Sequence, residues 1–415
     1  MLSRSQTIPL PVSINSRQKN IRRAMLFGGF ASFSMLYCVQ PLMPLLAAEF
    51  TLSAAQSSWV LSISTLCLAF SLLISSVISE IIGRKVLMLW AVTIAAITTV
   101  LCSLVHSFEQ LIFLRAALGI ALGGMPAVAI AYLSEEVEAH ALASTIGLYI
   151  AGSALGGMSG RLLTALFCDY FSWQVAFAIM GSIGLYSAWE FWRTLPEAQH
   201  FKPQVVTSRK QLSTVFAGFR AHASNLDLLR LFGLAFILTG CFTSFYNYIS
   251  FHLIAAPFHF SQASLGSISV FYLLGMLSSI LASSSIARIG RKKLVLIALS
   301  GMLVGLLLTL FSTISFMLTG TALFTFCFFA AHSVASSWVA GLALSSKALA
   351  SAMYLFCYYA GASVLGSIGG HIWSNSTWQG LIIFMSGLIS IGAGLTVFLR
   401  KDQPSQIKSV DLKDS

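Results

Sequence analysis

The chain has 415 residues, of which 57% are hydrophobic and 9% are charged, and its formal net charge is +11 at neutral pH. Soluble domains carry about 25% charged residues, so this composition excludes an ordinary soluble fold and indicates a membrane protein. The excess of Lys and Arg lies in short connectors beside apolar runs. Positive-inside sorting explains that distribution, and we therefore reject nucleic-acid binding as its cause.

Apolar runs of about 20 residues, the length that crosses a bilayer, recur along the chain. They predict twelve transmembrane helices, at 24–46, 58–79, 87–106, 110–133, 142–166, 173–194, 229–251, 265–286, 294–314, 316–340, 350–371 and 379–399. Every second connector lacks Lys and Arg, which predicts a multi-pass protein of the bacterial inner membrane with both termini in the cytoplasm. The first apolar run is too long for the core of a signal peptide, so we expect an uncleaved first span.

The longest polar segment follows the sixth span and divides the chain into two halves. An internal repeat supports this division, because the tetrapeptide Ile-Gly-Arg-Lys occurs at 82–85 and again at 289–292. The prediction is an all-α polytopic membrane protein of two pseudo-symmetric six-helix bundles. Its predicted parts are a cytoplasmic N-terminal tail (1–23), a first bundle (24–194), a cytoplasmic linker (195–228), a second bundle (229–399) and a cytoplasmic C-terminal tail (400–415).

The connector after span two resembles the loop signature of the major facilitator superfamily. Ser76 stands at the first glycine of that signature and Glu80 at its aspartate. The resemblance implies that Glu80 helps to lock one conformation across the two halves. Arg84 can pair with either Glu135 or Glu136 at the end of span four. Anchoring of the loop to the anionic inner leaflet by its cations is the alternative explanation.

Arg115 lies early in predicted span four, where an arginine costs about 2.5–3.5 kcal/mol on insertion scales. A spacing of four places it on one helix face with Gly119 and Gly123, so we expect it to face the protein interior. The resemblance to the superfamily includes this arginine and implies a role in proton coupling. The alternative is an arginine that snorkels to headgroups at the outer interface.

Span five carries a glycine motif that is similar to the antiporter signature of the same superfamily. Ser153 stands where that signature usually has proline. Gly152, Gly156 and Gly160 are four residues apart and predict a face that packs closely on another helix. Gly157 belongs to the same motif. Ordinary packing of small residues, without a role in antiport, is the alternative.

Three further polar groups lie within apolar runs, and none of them is assigned as the proton carrier. For Arg161 we favour snorkelling over an ion pair with Asp169. Glu190 lies in span six, where Arg193 on the next turn can neutralise it. The imidazole of His332 titrates near neutral pH, but we favour a structural histidine.

Polar and aromatic residues within spans one, seven, ten and eleven predict a substrate cavity. Spans one and seven occupy equivalent positions in the two halves. A pocket of this composition suits an amphiphilic small molecule, although each residue taken alone is also compatible with a helix–helix contact. The predicted cavity residues are Tyr37, Gln40, Asn247, Tyr246, His332, Tyr354 and Tyr358.

Nearly the whole chain resembles the major facilitator superfamily, and the closest resemblance is to bacterial arabinose-efflux permeases (AraJ/YnfM-like). The stretches that carry it are 36–41, 132–136, 156–161 and 330–338. The resemblance implies a monomeric secondary transporter that exports a small molecule by alternating access, in exchange for protons. It implies no enzymatic activity, cofactor or metal. The sequence has no GxxxxGK[ST] phosphate loop, so an ion gradient is the expected energy source.

Two other functions stay open at this point, in addition to the permease half of an ATP-driven complex. The first is uptake of a sugar or metabolite by a proton symporter or a facilitator. The second, from a different class, is a membrane sensor that does not transport.

Overall fold

The computed structural model describes residues 16–199, 217–343 and 347–400, and within these ranges every regular element is a helix. Much of the predicted tails and linker, at 1–15, 200–216 and 401–415, lies outside the described residues. In the described part, eight helical segments are long and apolar enough to cross a membrane. Some of these segments contain more than one of the helices named below.

The first half of the chain covers predicted spans one to six. Its helices are α1 (Ser16–Tyr37), α2 (Met43–Glu49), α3 (Ala54–Ser57), α4 (Trp59–Ile82), α5 (Arg84–Leu101), α6 (Phe108–Leu122), α7 (Pro126–Glu136), α8 (Ala139–Tyr170) and α9 (Trp173–Thr194). Helix α1 begins within the predicted N-terminal tail. Helices α1 and α2 together correspond to span one, and α6 and α7 together correspond to span four.

The second half covers predicted spans seven to twelve. Its helices are α10 (Leu226–Ile254), α11 (Gln262–Ser267), α12 (Tyr272–Ile289), α13 (Arg291–Leu308), α14 (Ile314–Leu342) and α15 (Lys347–Val397). Helix α15 contains a non-helical residue, Thr377, with φ 58° and ψ −161°. The two parts of α15 on either side of Thr377 correspond to spans eleven and twelve.

Predicted spans one and four are each broken at a proline. In span one, a 3-10 helix (Gln40–Leu42) separates α1 from α2. Pro41 lacks the N–H that would continue α1, and Pro44 lies in the first turn of α2. In span four, α6 ends before residues 123–125 and Pro126 is the first residue of α7. Predicted span four therefore consists of two helices, α6 and α7.

The Ile-Gly-Arg-Lys repeat has the same backbone form in both copies. Gly83 (φ 96°) joins α4 to α5, and Gly290 (φ 83°) joins α12 to α13. A positive φ is accessible to glycine because glycine has no Cβ atom. Each glycine therefore ends one helix and permits the next to start at the following arginine.

The described chain folds into two compact units. The first contains residues 16–199, 253–255 and 259–269, and the second contains 217–252, 256–258, 270–343 and 347–400. Helix α11 thus belongs to the first unit, where it packs against α8.

The second glycine of the repeat gives a test of backbone strain. We expect Gly290→Ala to lower the free energy of unfolding by about 1–3 kcal/mol, because a side chain disfavours this backbone conformation. No atom lies within 4 Å of the new Cβ position, so steric overlap would not contribute. Thermal unfolding in detergent measures the change. Gly387→Ala, in α15 and equally open, is the matched control and should not destabilise. Equal unfolding temperatures for the two variants would contradict the prediction.

Candidate functional site

Arg115 of α6 is fully buried (0% exposed) and donates hydrogen bonds to main-chain carbonyls of two other helices. Its Nε donates to the carbonyl oxygen of Val60 in α4 at 3.0 Å. Its two Nη atoms donate to the carbonyls of Met35 at 2.9 Å and Leu36 at 2.5 Å, both in α1. The alternative that Arg115 snorkels to headgroups is therefore wrong.

The position of these acceptors explains why an arginine lies here. Met35 and Leu36 are in the last turn of α1, where a helix leaves carbonyls to be satisfied by other donors. A cation is also favourable at a helix C-terminus, which carries partial negative charge. Arg115 therefore caps the break in span one. A second hydrogen bond links α4 to α6, because the Ser64 hydroxyl donates to the Arg115 carbonyl at 2.9 Å.

The glycine motif of α8 packs directly on the main chain of α1. The contacts pair Gly152 with Leu26, Gly156 with Phe30 and Gly160 with Ser34. A Cβ atom added to Gly152 would lie 2.6 Å from the carbonyl oxygen of Leu26, so no side chain fits without displacement. Hence the spacing of four brings the two backbones into contact over two helical turns.

The second unit repeats this contact between the equivalent spans. Gly361 of α15 faces the carbonyl of Phe236 in α10, with no room for a Cβ atom. Near the same face, the hydroxyl of Ser244 donates to the carbonyl of Leu365 at 2.8 Å. Spans seven and eleven therefore meet as spans one and five do, by direct approach of the main chains.

Arg161 lies in a buried cluster with two of the predicted cavity residues. Its Nε donates to Oε1 of Gln40 at 2.6 Å, and its Nη1 donates to the carbonyl of Gly157 at 2.6 Å. The guanidinium carbon lies 4.1 Å from the ring centroid of Tyr37. Arg161 is only 4% exposed, so the prediction that it snorkels is wrong. The predicted alternative partner, Asp169, instead accepts a hydrogen bond from the main-chain N–H of Ala263 at 3.0 Å.

At the end of the first unit where α4 meets α5, Arg84 is held by two carboxylates. Its Nε and Nη2 donate to the two oxygens of Glu135 at 2.7 and 2.6 Å. Nη2 also donates to Glu80 at 2.8 Å, and Nη1 donates to the hydroxyl of Ser79 at 2.9 Å. Of the two acids that the sequence leaves open, Glu135 is therefore the partner of Arg84. Glu136 pairs with Arg17 at 2.8 Å instead.

In the second unit, the predicted cavity residues fall into two groups. Nδ1 of His332 lies 3.0 Å from the hydroxyl of Tyr354, and its ring centroid lies 4.6 Å from that of Tyr358. Tyr246 forms a hydrogen bond of 2.8 Å with Thr325 and packs against the ring of Phe242.

Asn247, in α10, is fully buried. Its amide therefore lies within the protein rather than at a lipid-facing surface.

Sequence reasoning missed one ionic cluster at the end of α9. The carboxylate of Glu190 is fully buried, accepts a hydrogen bond from Arg193 at 3.0 Å and forms an ion pair with Arg23 at 2.5 Å. The spacing of three to Arg193 was visible in the sequence and predicted the first contact. The second contact, with Arg23 of α1, joins residues far apart in the chain and had no local signal.

Two adjacent glycines of α8 offer a matched test of the helix contact. We expect Gly156→Ala to destabilise the protein by about 1–3 kcal/mol, because its methyl group would overlap the carbonyl of Phe30. Gly157→Ala should cost little, since its nearest neighbour is the flexible end of Arg161 at 3.4 Å. Thermal unfolding in detergent compares the two. A larger loss for Gly157→Ala would disprove the assignment of the contact face.

Comparison with known proteins places this architecture in one family. The family model of the Major Facilitator Superfamily matches residues 25–256 and 231–414. The chain is 43% identical to the inner membrane transport protein YnfM of Escherichia coli (strain K12), over 89% of this chain and 87% of that protein. It is 38% identical to an uncharacterized transporter of Buchnera aphidicola subsp. Schizaphis graminum, over 91% of each chain.

A solved structure agrees on the fold. The crystal structure of the nucleoside transporter NupG has a TM-score of 0.76 to this chain at 16% sequence identity. The superposition covers 92% of this chain and 100% of the NupG chain. The predicted all-α fold of two six-helix bundles is thereby confirmed. The chain belongs to the major facilitator superfamily, and it is a membrane transporter rather than an enzyme.

Proposed function

We propose that this chain exports a small molecule across the bacterial inner membrane in exchange for protons, as a monomer that works by alternating access. The observation that carries the proposal is the contact of Gly152, Gly156 and Gly160 with the main chain of α1. This contact has the position and spacing of the antiporter signature to which the motif is similar. The similarity to YnfM, an inner membrane transport protein, supports the choice of membrane.

Direct main-chain contact is suited to a moving joint between helices. Glycine faces have no side chains that interlock, so two helices can stay close while one shifts along the other. In this chain the joint lies beside the break of span one, where Arg115 holds the end of α1. A shift of α8 against α1 would therefore act on the broken part of span one.

Arg115 acts, in this proposal, as a fixed positive charge that couples protons to this movement. A guanidinium stays protonated even when it is buried, so Arg115 is not itself the proton carrier. The positive charge of Arg115 would lower the proton affinity of nearby groups as long as this side chain caps the carbonyls of α1. A change in that capping would then alter the proton affinity of neighbouring groups.

The ion pairs of Arg84 form the second conformational element of the proposal. Both Glu80 and Glu135 contact Arg84 within the first unit, at 2.8 and 2.6 Å. These residues come from α4, α5 and α7, so the ion pairs restrain three helices together. We propose that the network stabilises one state of the transport cycle and rearranges in the other.

The proposed substrate contacts combine aromatic rings with hydrogen-bonding groups. In the first unit, the site would lie at the Arg161 cluster, where a ring, an amide and a cation are in contact. An amphiphilic small molecule fits this composition. The proposed contact residues are Tyr37, Gln40, Asn247, Tyr246, His332, Tyr354 and Tyr358.

The experiment begins with a screen of metabolites and drugs in a deletion strain, followed by transport assays in everted vesicles. Export in exchange for protons predicts uphill accumulation in these vesicles that collapses when a protonophore is added. Substrate addition should also dissipate a preformed pH gradient. Uphill movement in the opposite direction would overturn export and establish uptake.

Substitution of Arg115 tests the coupling step. We expect Arg115→Ala to abolish driven transport while the protein still inserts in the membrane, because the fixed charge at the α1 break is lost. Arg288→Ala removes an exposed arginine from the last turn of α12 and should leave transport unchanged. Insertion is checked by the yield and unfolding temperature of the purified protein. Normal uphill transport by Arg115→Ala would refute the role of this residue.

A further inference from the structure

A groove runs along the outer surface of the first unit, between α5 and α9. Its lining is almost entirely apolar and includes three tryptophans that are about half exposed: Trp90 (56%), Trp189 (47%) and Trp192 (55%). The other lining residues are Leu89, Thr93, Leu185 and Ala188.

Close packing of the two helices sets one end of this groove. A Cβ atom on Gly181 of α9 would lie 2.6 Å from the main-chain nitrogen of Val100 in α5, and one on Gly184 would lie 3.2 Å from the Cβ of Ala96. Beyond Gly184, the groove continues as a furrow between the two helices, and its α9 wall is lined by Leu185, Ala188, Trp189 and Trp192.

The other end of the groove is cationic on its α9 wall. On the α5 wall, Lys85 lies one turn before Leu89 but pairs with Glu197 at 2.7 Å, whereas Arg193 lies one turn after Trp189 on α9. The guanidinium carbon of Arg193 is 4.9 Å from the ring centroid of Trp189. The apolar lining thus ends directly at a guanidinium group.

Glu190 holds two arginines at this end and leaves a net positive charge. Its buried carboxylate contacts Arg193 at 3.0 Å and Arg23 at 2.5 Å. One carboxylate neutralises only one of the two guanidinium groups. Both arginine side chains remain 51% exposed, so each keeps N–H donors that an anion can reach.

We propose that this groove binds one anionic phospholipid. The headgroup phosphate would accept hydrogen bonds from Arg193 and Arg23, and an acyl chain would lie along the tryptophan-lined furrow. Basic sites beside transmembrane helices favour anionic headgroups, and tryptophan is enriched at the depth where headgroups meet acyl chains. In the orientation predicted from the loop charges, the site faces the cytoplasmic leaflet.

A second groove on the same unit offers an internal contrast. It contains a carboxylate, Glu109, where the first groove has cations at its end. It is lined by Leu101, Leu104, Val105, Glu109, Gln110, Phe113 and Leu114. Apolar lining is thus common to both grooves, and only the first combines it with positive charge suited to an anionic lipid.

Native mass spectrometry of the full-length protein in a mild detergent tests the proposal. Phosphatidylglycerol and phosphatidylcholine with identical acyl chains are the probes. We expect the wild-type chain to prefer phosphatidylglycerol, and Arg193→Gln to weaken its binding about tenfold through loss of a charge-assisted hydrogen bond. The double variant Trp189→Ala, Trp192→Ala should weaken the binding of both lipids, because it removes the protein surface that would contact the acyl chain.

Two control variants separate this site from general effects on the membrane surface. Arg288→Gln removes an exposed arginine from α12, and Trp59→Ala removes a half-exposed tryptophan from α4. Neither residue lines the groove, so both variants should bind phosphatidylglycerol as the wild-type chain does.

Several results would overturn the proposal. Equal affinity of the wild-type chain for both lipids would show that the cations select no headgroup, and unchanged binding by Arg193→Gln would place the lipid elsewhere. Displacement of the lipid by equimolar glycerol 3-phosphate would indicate a site for free phosphate compounds. A dimer in light scattering that the double tryptophan variant abolishes would identify a second copy of the chain as the occupant.

Discussion

A membrane helix can be interrupted only where other groups of the protein satisfy its freed carbonyls, because hydrocarbon supplies no donors. Span one is interrupted at Pro41, and Arg115 meets this requirement by binding the carbonyls of Met35 and Leu36. The same side chain donates to the carbonyl of Val60 in α4, so Arg115 links its own helix, α6, to both α1 and α4. The break and the buried arginine therefore depend on each other.

Direct main-chain contact is the second constraint, and it is shared by both units. Gly156 on Phe30 and Gly361 on Phe236 place equivalent spans at the smallest possible separation. The charged groups do not follow this symmetry. The first copy of the loop repeat has Glu80 beside Arg84, whereas the second copy has Ala287 at the acidic position. The packing of the two units is thus duplicated, while their ionic networks differ.

The arginines of the first unit show how the surroundings decide the role of one residue type. Arg115 donates hydrogen bonds to three main-chain carbonyls and acts as a helix cap. Arg161 contacts an amide, a carbonyl and an aromatic ring, which suits recognition of a small molecule. Arg84 and Arg193 pair with carboxylates near helix ends. Of these four arginines, Arg193 keeps a side chain that is half exposed.

The sequence by itself determined the membrane environment, the helical spans, the glycine spacing and the family. These features are local or periodic, since hydropathy and a spacing of four can be read along a single helix. The tertiary structure alone decided which long polar side chains from different helices meet. It selected Glu135 over Glu136 for Arg84, buried Arg161 against Gln40, and brought Arg23 to Glu190. The reason is physical: a long side chain reaches whichever helix lies opposite, and the identity of that helix is not encoded in the residues beside it.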